Sequence, residues 1–169
     1  MLKLNKKQVK GILKVITSEP CKTRPALMTM RIKRDGFAYI TNGYIAIRWK
    51  LEIEPIPKID EQEEFIITAE NLERWYKLAS SKDKLDELSI LELQDVENTT
   101  VYPDIAQLFD KYCRMNASSE PFFVDEELIK MFTNVAGDSC MRVQVLTGCL
   151  HVNSLVEASI DCIIMGLNR

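Results

Sequence analysis

The chain has 169 residues, 46% hydrophobic and 28% charged, which is enough to bury a core and argues against a disordered protein. No apolar run approaches the ~18 residues of a membrane span, and no apolar segment follows the N-terminal lysines as in a signal peptide, so we expect a cytoplasmic protein. The five cysteines are an odd number without C-x-x-C spacing, which favours reduced thiols.

The formal net charge of −3 is unevenly distributed along the chain. The first 34 residues contain ten Lys or Arg against one acidic residue, Glu19, a balance of +9, so the other 135 residues carry −12. An acidic chain that gathers positive charge at one end has a candidate surface for a polyanion.

After a short strand, Met1 to Leu4, the pattern predicts a helix over residues 5–17. Its apolar positions follow the i, i+3, i+4, i+7 spacing of a helix packed on a core. They are Val9, Ile12, Leu13 and Ile16. Four lysines fall within roughly 100° of arc on the adjoining face and have no acidic i, i+4 partner. This lysine stripe consists of Lys6, Lys7, Lys10 and Lys14, and Lys3 flanks it. A solvated helix face is the alternative interpretation.

Strands are predicted to follow this helix. Residues 26–33 alternate, with Met28, Met30 and Ile32 predicted to face inward and Thr29, Arg31 and Lys33 to face outward. Asp35-Gly36 then turns the chain into residues 37–40. Asn42-Gly43 is a strong two-residue hairpin signal, and it returns the chain through residues 44–51.

The same unit of strand, helix and strands is predicted twice more. Helices with the same apolar spacing lie around residues 72–79 and 128–135, after short strands at 65–67 and 122–124. Their N-caps are predicted at Thr68 and Asp125, like Asn5 in the first helix, and Gly137 is predicted to end the third helix. Strands at 141–146, 150–152 and 159–165 complete the third unit.

The middle unit is truncated. Only a strand at 88–93 is expected after its helix, and residues 102–110 are predicted to form a turn and a short helix that join the second and third units. We therefore expect one compact chain, 1–169, with repeat units of about 1–58, 62–118 and 119–169. The architecture is α+β, with helices on one side of antiparallel sheets.

Catalysis has little support in the sequence. The single histidine, His151, lies in an alternating apolar run and is expected to be a strand residue. No glycine-rich phosphate loop is present. The acidic clusters at 60–64 and 125–127 could be interpreted as Mg²⁺ ligands of a nuclease, but the first is typical of a loop and the second of a helix N-cap. We expect no enzyme, no catalytic residues, no metal and no cofactor.

Several segments, in this order and spacing, resemble the bacterial sliding clamp, the beta subunit of DNA polymerase III. Thr41-Asn42-Gly43-Tyr44-Ile45-Ala46 resembles the family's T-D-G-[HY]-R-L-A hairpin, and Tyr102-Pro103-Asp104 its F-P-D-Y linker. The segment 163–169 is similar to the closing L-M-P-M-R-[LI]. Short clamp-like proteins of phages and prophages fit the length better than a cellular clamp does. The sequence departs from the family at Gly166, where proline is usual, and at Tyr44-Ile45, where histidine and arginine are common.

The resemblance implies a clamp-like fold and two sites. One is a non-specific surface for double-stranded DNA, with its candidates on the first two helices. They are Lys3, Lys6, Lys7, Lys10, Lys14, Arg74 and Lys77. The other is an apolar pocket for short peptides of polymerases or loaders, built from the hairpin and the C-terminal segment. Its candidates are Thr41, Gly43, Tyr44, Ile45, Met165, Gly166, Leu167 and Arg169. Packing of the hairpin for stability alone is the other interpretation of these residues.

Three functions are compared. The leading hypothesis is a DNA clamp or processivity factor, which would need a homo-oligomer because one copy of this size cannot surround a duplex. The second is an adaptor or inhibitor of host replication proteins that forms no ring. An unrelated nucleic-acid enzyme is the third, and it lacks a catalytic constellation.

Overall fold

The computed structural model describes residues 4–33, 36–50, 64–85, 92–93, 101–119, 122–137, 141–155 and 160–166. The strands in these ranges are β1 Leu4–Asn5, β2 Thr29–Lys33, β3 Phe37–Thr41, β4 Ile45–Lys50, β5 Glu64–Thr68, β6 Lys84–Leu85, β7 Met141–Leu146, β8 Cys149–Ser154 and β9 Ile160–Met165. The helices are α1 Lys6–Ile16, α2 Glu19–Lys22, α3 Ala69–Leu78, α4 Ile105–Tyr112 and α5 Glu126–Ala136. None of these helices is long and apolar enough to cross a bilayer.

One antiparallel sheet of seven strands organises the molecule, in the order β5-β2-β3-β4-β9-β8-β7. The central seam pairs β4 with β9, so strands from the two ends of the sequence lie side by side. A separate two-stranded ladder joins β1 to β6. The edge strands of the large sheet, among the described residues, are β5 and β7.

The long helices begin where short polar side chains can cap them. The Asn5 side chain accepts a hydrogen bond from the Gln8 N–H, and the Gln8 side-chain oxygen accepts one from the Asn5 N–H, which satisfies two donors at the start of α1. Thr68 and Asp125 cap α3 and α5 in the predicted positions. Gly137 ends α5 in the left-handed region, with φ +80°.

The main core lies between one face of the sheet and the helices α1, α3 and α5. Alternate residues of each strand point into it, among them Ile40, Ile47 and Ile164, all buried. Helix α1 lies between the other two helices and contacts both. Gly11 permits close contact with α5, because a Cβ there would lie 2.6 Å from the backbone carbonyl carbon of Asn134.

Helix α4 covers the opposite face of the sheet with a smaller apolar cluster. Ile105 and Phe109 pack there against Tyr39, Ala46 and Ile163, all of them buried. The strand residues of this cluster alternate with those of the main core, so the same strands serve both layers. Helix α4 also forms one wall of the candidate functional site, so its position sets the shape of that site.

Some predicted elements differ from the structure. Residues 25–27 form a 3₁₀ turn rather than the start of β2, since Pro25 has a fixed φ and no N–H to donate. The segment Phe122 to Val124 is not a strand: Phe122 instead packs its ring against Gly166 and the core. Thr29 and Arg31 point away from the main core as predicted, but they are buried, and Arg31 lies under the Tyr102 ring, 4.8 Å from its centroid.

The predicted strand at 88–93 lies mainly outside the described residues. Its described residues, Glu92 and Leu93, have helical backbone. Residues 60–63 of the first acidic cluster, the predicted strand residues 1–3 and Asp35 of the first turn also lie outside them.

Candidate functional site

An apolar cavity of about 420 Å³ lies where the β3–β4 hairpin meets the end of β9 and the start of α4. Ile45 and Ala46 come from the hairpin, and Ile163 and Met165 from β9. These four residues meet because the two strands pair in register, Ala46 opposite Ile163. The cavity therefore depends on the β4–β9 seam.

The hairpin is held in shape by two buried polar side chains. Asn42 accepts hydrogen bonds at 3.0 Å from the N–H groups of Tyr44 and Ile45. Thr41 accepts one from the Gly43 N–H at 3.0 Å and donates its hydroxyl to the Ile45 carbonyl at 2.8 Å. Gly43 has φ +92°, which side chains rarely allow. As a result the Tyr44 side chain projects at the cavity mouth, 55% exposed.

The wall opposite the hairpin comes from α4 and the residues before it. Pro103, Ile105 and Leu108 line the cavity there. Asp104 caps the helix: a hydrogen bond from the Gln107 N–H, and then the Lys33 ammonium at 3.5 Å, lower the pKa of its carboxyl group. Fixing the first turn of α4 in this way holds the wall against the sheet.

The structure brings together five of the predicted pocket residues. Thr41, Gly43, Tyr44, Ile45 and Met165 line the one cavity. Gly166 lies next to it rather than in its lining, and a Cβ there would approach the Phe122 ring to 2.7 Å. Leu167 and Arg169 are outside the described residues.

Sequence reasoning missed ten of the fifteen lining residues. The missed residues on the α4 side are Val101, Pro103, Asp104, Ile105 and Leu108, and elsewhere Arg24, Ala26, Leu27, Ala46 and Ile163. A signal for the first group was present, because an apolar helix directly follows the linker that resembles the clamp family's. Nothing local to residues 24–27 indicated that they lie beside the hairpin.

A second recess of about 530 Å³ adjoins the cavity. Glu19, Pro20 and Thr23 line it on the α2 side. Arg24, Gly43 and Tyr44 line both spaces, so they form the border between them. The two spaces therefore adjoin at the hairpin, the cavity with a mainly apolar lining and the recess with a mixed one.

Three lysines of the predicted stripe remain exposed on α1. Lys7, Lys10 and Lys14 form no ion pair with any described residue. Lys6 departs from this arrangement. Its ammonium donates to the Ala79 carbonyl at 2.7 Å and lies 4.8 Å from the centroid of the Tyr76 ring, so it ties α1 to α3. The free stripe is therefore narrower than predicted.

The other helices add little free positive charge. On α3, Arg74 donates to Asn71, and Lys77 pairs with Glu73 at 3.2 Å. On α5, Lys130 pairs with both Glu126 and Glu127. Lys3 lies outside the described residues. Asp125 accepts from the Glu127 N–H as the N-cap of α5, which is the predicted alternative to a metal ligand.

A polar cluster under α4 has the residue types of a catalytic triad but not the geometry. The Cys113 thiol and an Asp161 carboxylate oxygen are both 3.8 Å from the same histidine nitrogen, His151 Nε2, whereas a triad places them on opposite nitrogens. Burial raises the pKa of Cys113 and lowers that of His151, which disfavours a thiolate–imidazolium pair. Among the described residues no group of three His, Cys, Asp or Glu side chains is placed to hold a metal ion.

The architecture is a sliding-clamp fold: three helices lie on one face of antiparallel strands, and an apolar pocket lies at the junction of the two chain halves. Solved structures of DNA polymerase III beta clamps match it. The Helicobacter pylori beta clamp is 12% identical with a TM-score of 0.61, and the match covers 99% of this chain and 66% of the clamp. The Bacillus subtilis clamp is 12% identical with a TM-score of 0.52, covering 99% and 64%.

A third match is an H. pylori beta clamp bound to a DNA ligase peptide, 11% identical with a TM-score of 0.55, covering 99% of this chain and 65% of the clamp. At such identities the likeness establishes the fold alone. The chain spans less than two thirds of the length of these clamps. No protein-family model and no curated protein matches the sequence.

Proposed function

We propose that this protein is a clamp-like replication accessory protein, without enzymatic activity, that binds short apolar peptides of replication proteins in the pocket. The single observation that carries the proposal is the pocket itself. Five residues chosen from the resemblance to clamps line one apolar cavity in a chain whose fold matches clamps. An H. pylori clamp of this fold was solved with a DNA ligase peptide.

The cavity suits two or three apolar side chains of an extended peptide. Its lining is aliphatic apart from the rim, and Met165 offers a side chain that adapts to different shapes. Tyr44 and Val101 are exposed apolar residues at its edge, 55% and 91%, where a bound peptide would cover them. Polymerase and loader subunits are the proposed partners.

The second part of the proposal is contact with double-stranded DNA through α1. Lys7, Lys10 and Lys14 have no internal counter-ion among the described residues, and phosphate contacts of this kind carry no sequence information. Encircling a duplex requires a homo-oligomer, and the edge strands β5 and β7 are the candidates for pairing between copies.

A second candidate function is an adaptor or inhibitor that uses the same pocket without forming a ring. The narrow free stripe favours it, since Lys6 is bound internally and only Lys7, Lys10 and Lys14 of the stripe lack a counter-ion among the described residues. Membership among the short clamp-like proteins of phages and prophages, which the sequence suggested, agrees with either candidate. Sedimentation separates the two: a closed oligomer retained on circular DNA supports the clamp, and a monomer at working concentration supports the adaptor.

The test of the peptide site is titration of the H. pylori DNA ligase peptide against the wild type and two variants. Met165→Asp places a charge in the cavity and should weaken binding at least tenfold. Val143→Asp is the matched control, because Val143 is 49% exposed on the edge strand β7, away from the pocket. If the wild type and Met165→Asp bind the peptide with equal affinity, the pocket is not the peptide-binding site.

A further inference from the structure

A buried amide side chain joins the tip of the β3–β4 hairpin to two of the helices. Asn42 lies between β3 and β4, is 2% exposed and does not line the cavity. Its side-chain oxygen accepts from the N–H groups of Tyr44 and Ile45, which both line the cavity. Since a backbone N–H can only donate, the atom that faces these two groups must be the amide oxygen. The amide nitrogen of Asn42 therefore points the other way.

This amide nitrogen has one partner beyond the end of α1 and one on α5. Nδ2 donates to Ser18 Oγ at 3.2 Å and to Met131 Sδ at 3.8 Å. The Ser18 hydroxyl in turn donates to the Val15 carbonyl at 2.7 Å, in the last turn of α1. Both lone pairs and both hydrogens of the Asn42 amide are thus used. One side chain connects two cavity-lining residues to two helices.

The arrangement requires a side chain that donates as well as accepts. Aspartate has the same shape as Asn42, but a carboxylate only accepts. Its second oxygen would face the Met131 sulfur, which has no hydrogen to donate, and the Ser18 hydroxyl, which already donates to Val15. A buried polar network with an unsatisfied member is costly, so the hairpin should leave the position that the network now fixes.

We propose that Asn42 is a positioning residue of the peptide site, which holds Tyr44 and Ile45 in the binding geometry and transmits occupancy of the cavity to Met131 on α5. The inference rests on the proposed peptide function and adds to it a route from the pocket to the helices. A hairpin that keeps the binding geometry for only part of the time weakens the apparent affinity in proportion, by about tenfold for an unmade buried hydrogen bond.

The first test measures the affinity of the H. pylori DNA ligase peptide for the wild type, Asn42→Asp and Asn134→Asp, with circular dichroism to establish that each is folded. At pH 8, Asn42→Asp should bind about tenfold more weakly than the wild type. Asn134→Asp is the matched control. It should bind like the wild type, because the Asn134 side chain donates to the Lys130 carbonyl of its own helix and does not line the cavity.

The pH dependence separates a lost donor from a general loss of packing. Protonation of the new carboxyl group in Asn42→Asp restores an O–H donor, so its affinity should approach that of the wild type as the pH falls from 8 to 5. A binding defect that is the same at every pH overturns the role of Asn42. So does a folded Asn42→Asp that binds as tightly as the wild type at pH 8.

The second measurement uses the wild type, so it remains decisive if Asn42→Asp does not fold. Isotope-labelled methionine methyl groups are followed by NMR as the peptide is added, and Met131→Leu assigns the Met131 signal. Met165 should shift by direct contact, and Met131 should shift through Asn42 although it does not line the cavity. Met141, which pairs with Ser154 at the far end of the β7–β8 ladder, should not shift.

The two possible failures are distinguishable. A shift of Met165 without a shift of Met131 overturns the route through Asn42 and leaves the peptide function standing. If the peptide neither binds the wild type nor shifts Met165, the peptide function fails as well.

Discussion

Arg48 and Asp161 face each other across the β4–β9 seam, and the arginine donates two hydrogen bonds, at 3.1 and 3.0 Å, to a single carboxylate oxygen of the aspartate. The guanidinium also lies 4.4 Å from the centroid of the Phe109 ring on α4 and 5.0 Å from that of Phe37. One ion pair thus joins the two halves of the sheet and the helix that walls the pocket.

Asp161→Ala should lower the free energy of unfolding by about 2 to 4 kcal/mol, because it leaves a largely buried guanidinium without its partner. The double variant Arg48→Met with Asp161→Leu should recover much of that loss, since apolar side chains of similar volume replace the pair. Urea unfolding curves of both variants measure the difference. A double variant less stable than Asp161→Ala would contradict this account.

His151 should make stability depend on pH. Burial, opposed by Asp161, lowers the pKa of this histidine in the folded state below its usual 6.5. The unfolded chain therefore binds the proton more tightly, and stability falls as pH drops from about 7 through 6.5 towards the folded pKa. The slope contributed by His151 is at most about 1.4 kcal/mol per pH unit. Unfolding experiments from pH 8 to 5 should show a shallower decline in His151→Gln.

Gly11 should not tolerate a side chain. In Gly11→Ala the new Cβ would lie 2.6 Å from the Asn134 carbonyl carbon, which is backbone and cannot rotate away. The helices α1 and α5 must separate, so we expect a loss of about 1 to 3 kcal/mol despite the better helix propensity of alanine. Lys10→Ala, one residue away and exposed, is the control and should be neutral. Thermal unfolding distinguishes the two variants.

The proposed contact with DNA should depend on the exposed lysines of α1. Changing Lys7, Lys10 and Lys14 together to Gln should weaken binding to a short duplex and reduce the slope of log K against log salt by up to about 2.7. A matched triple change at the exposed residues Lys50, Lys82 and Lys111 removes the same charge elsewhere. Equal losses in both triple variants would indicate a general charge effect instead of a site.

Lys6 should behave differently from the other members of the stripe. Because its ammonium is bound to Ala79 and Tyr76, Lys6→Gln should lower thermal stability while leaving the salt slope of DNA binding unchanged. Fluorescence anisotropy with a labelled duplex, at matched folded fractions, checks this. A salt slope reduced by about 0.9 in Lys6→Gln would instead indicate that Lys6 contacts a phosphate of the DNA.

Features that depend on neighbouring residues were predictable from the sequence. Asn5, Thr68 and Asp125 act through N–H groups two or three positions away, and Gly43 acts through its own φ. These signals need no tertiary information.

Features that depend on packing between distant segments were not predictable in this way. Lys6 looked like its neighbours in the stripe until α3 brought the Ala79 carbonyl beside it. Only a third of the pocket lining was identified, because the resemblance covered the hairpin and β9 but placed neither α4 nor residues 24–27 against them. The predicted strand at 122–124 was wrong. An apolar run indicates burial, but it does not show whether its residues pair with a neighbouring strand or pack their side chains against the core.

The β4–β9 seam also sets when this protein can act during its own synthesis. Arg24 and the hairpin leave the ribosome early, but Ile163 and Met165 complete the pocket only after β9 has been made. A nascent chain therefore exposes half a pocket, with its aliphatic residues uncovered, for most of translation. The proposed peptide binding is therefore expected only of molecules in which β9 has paired with β4.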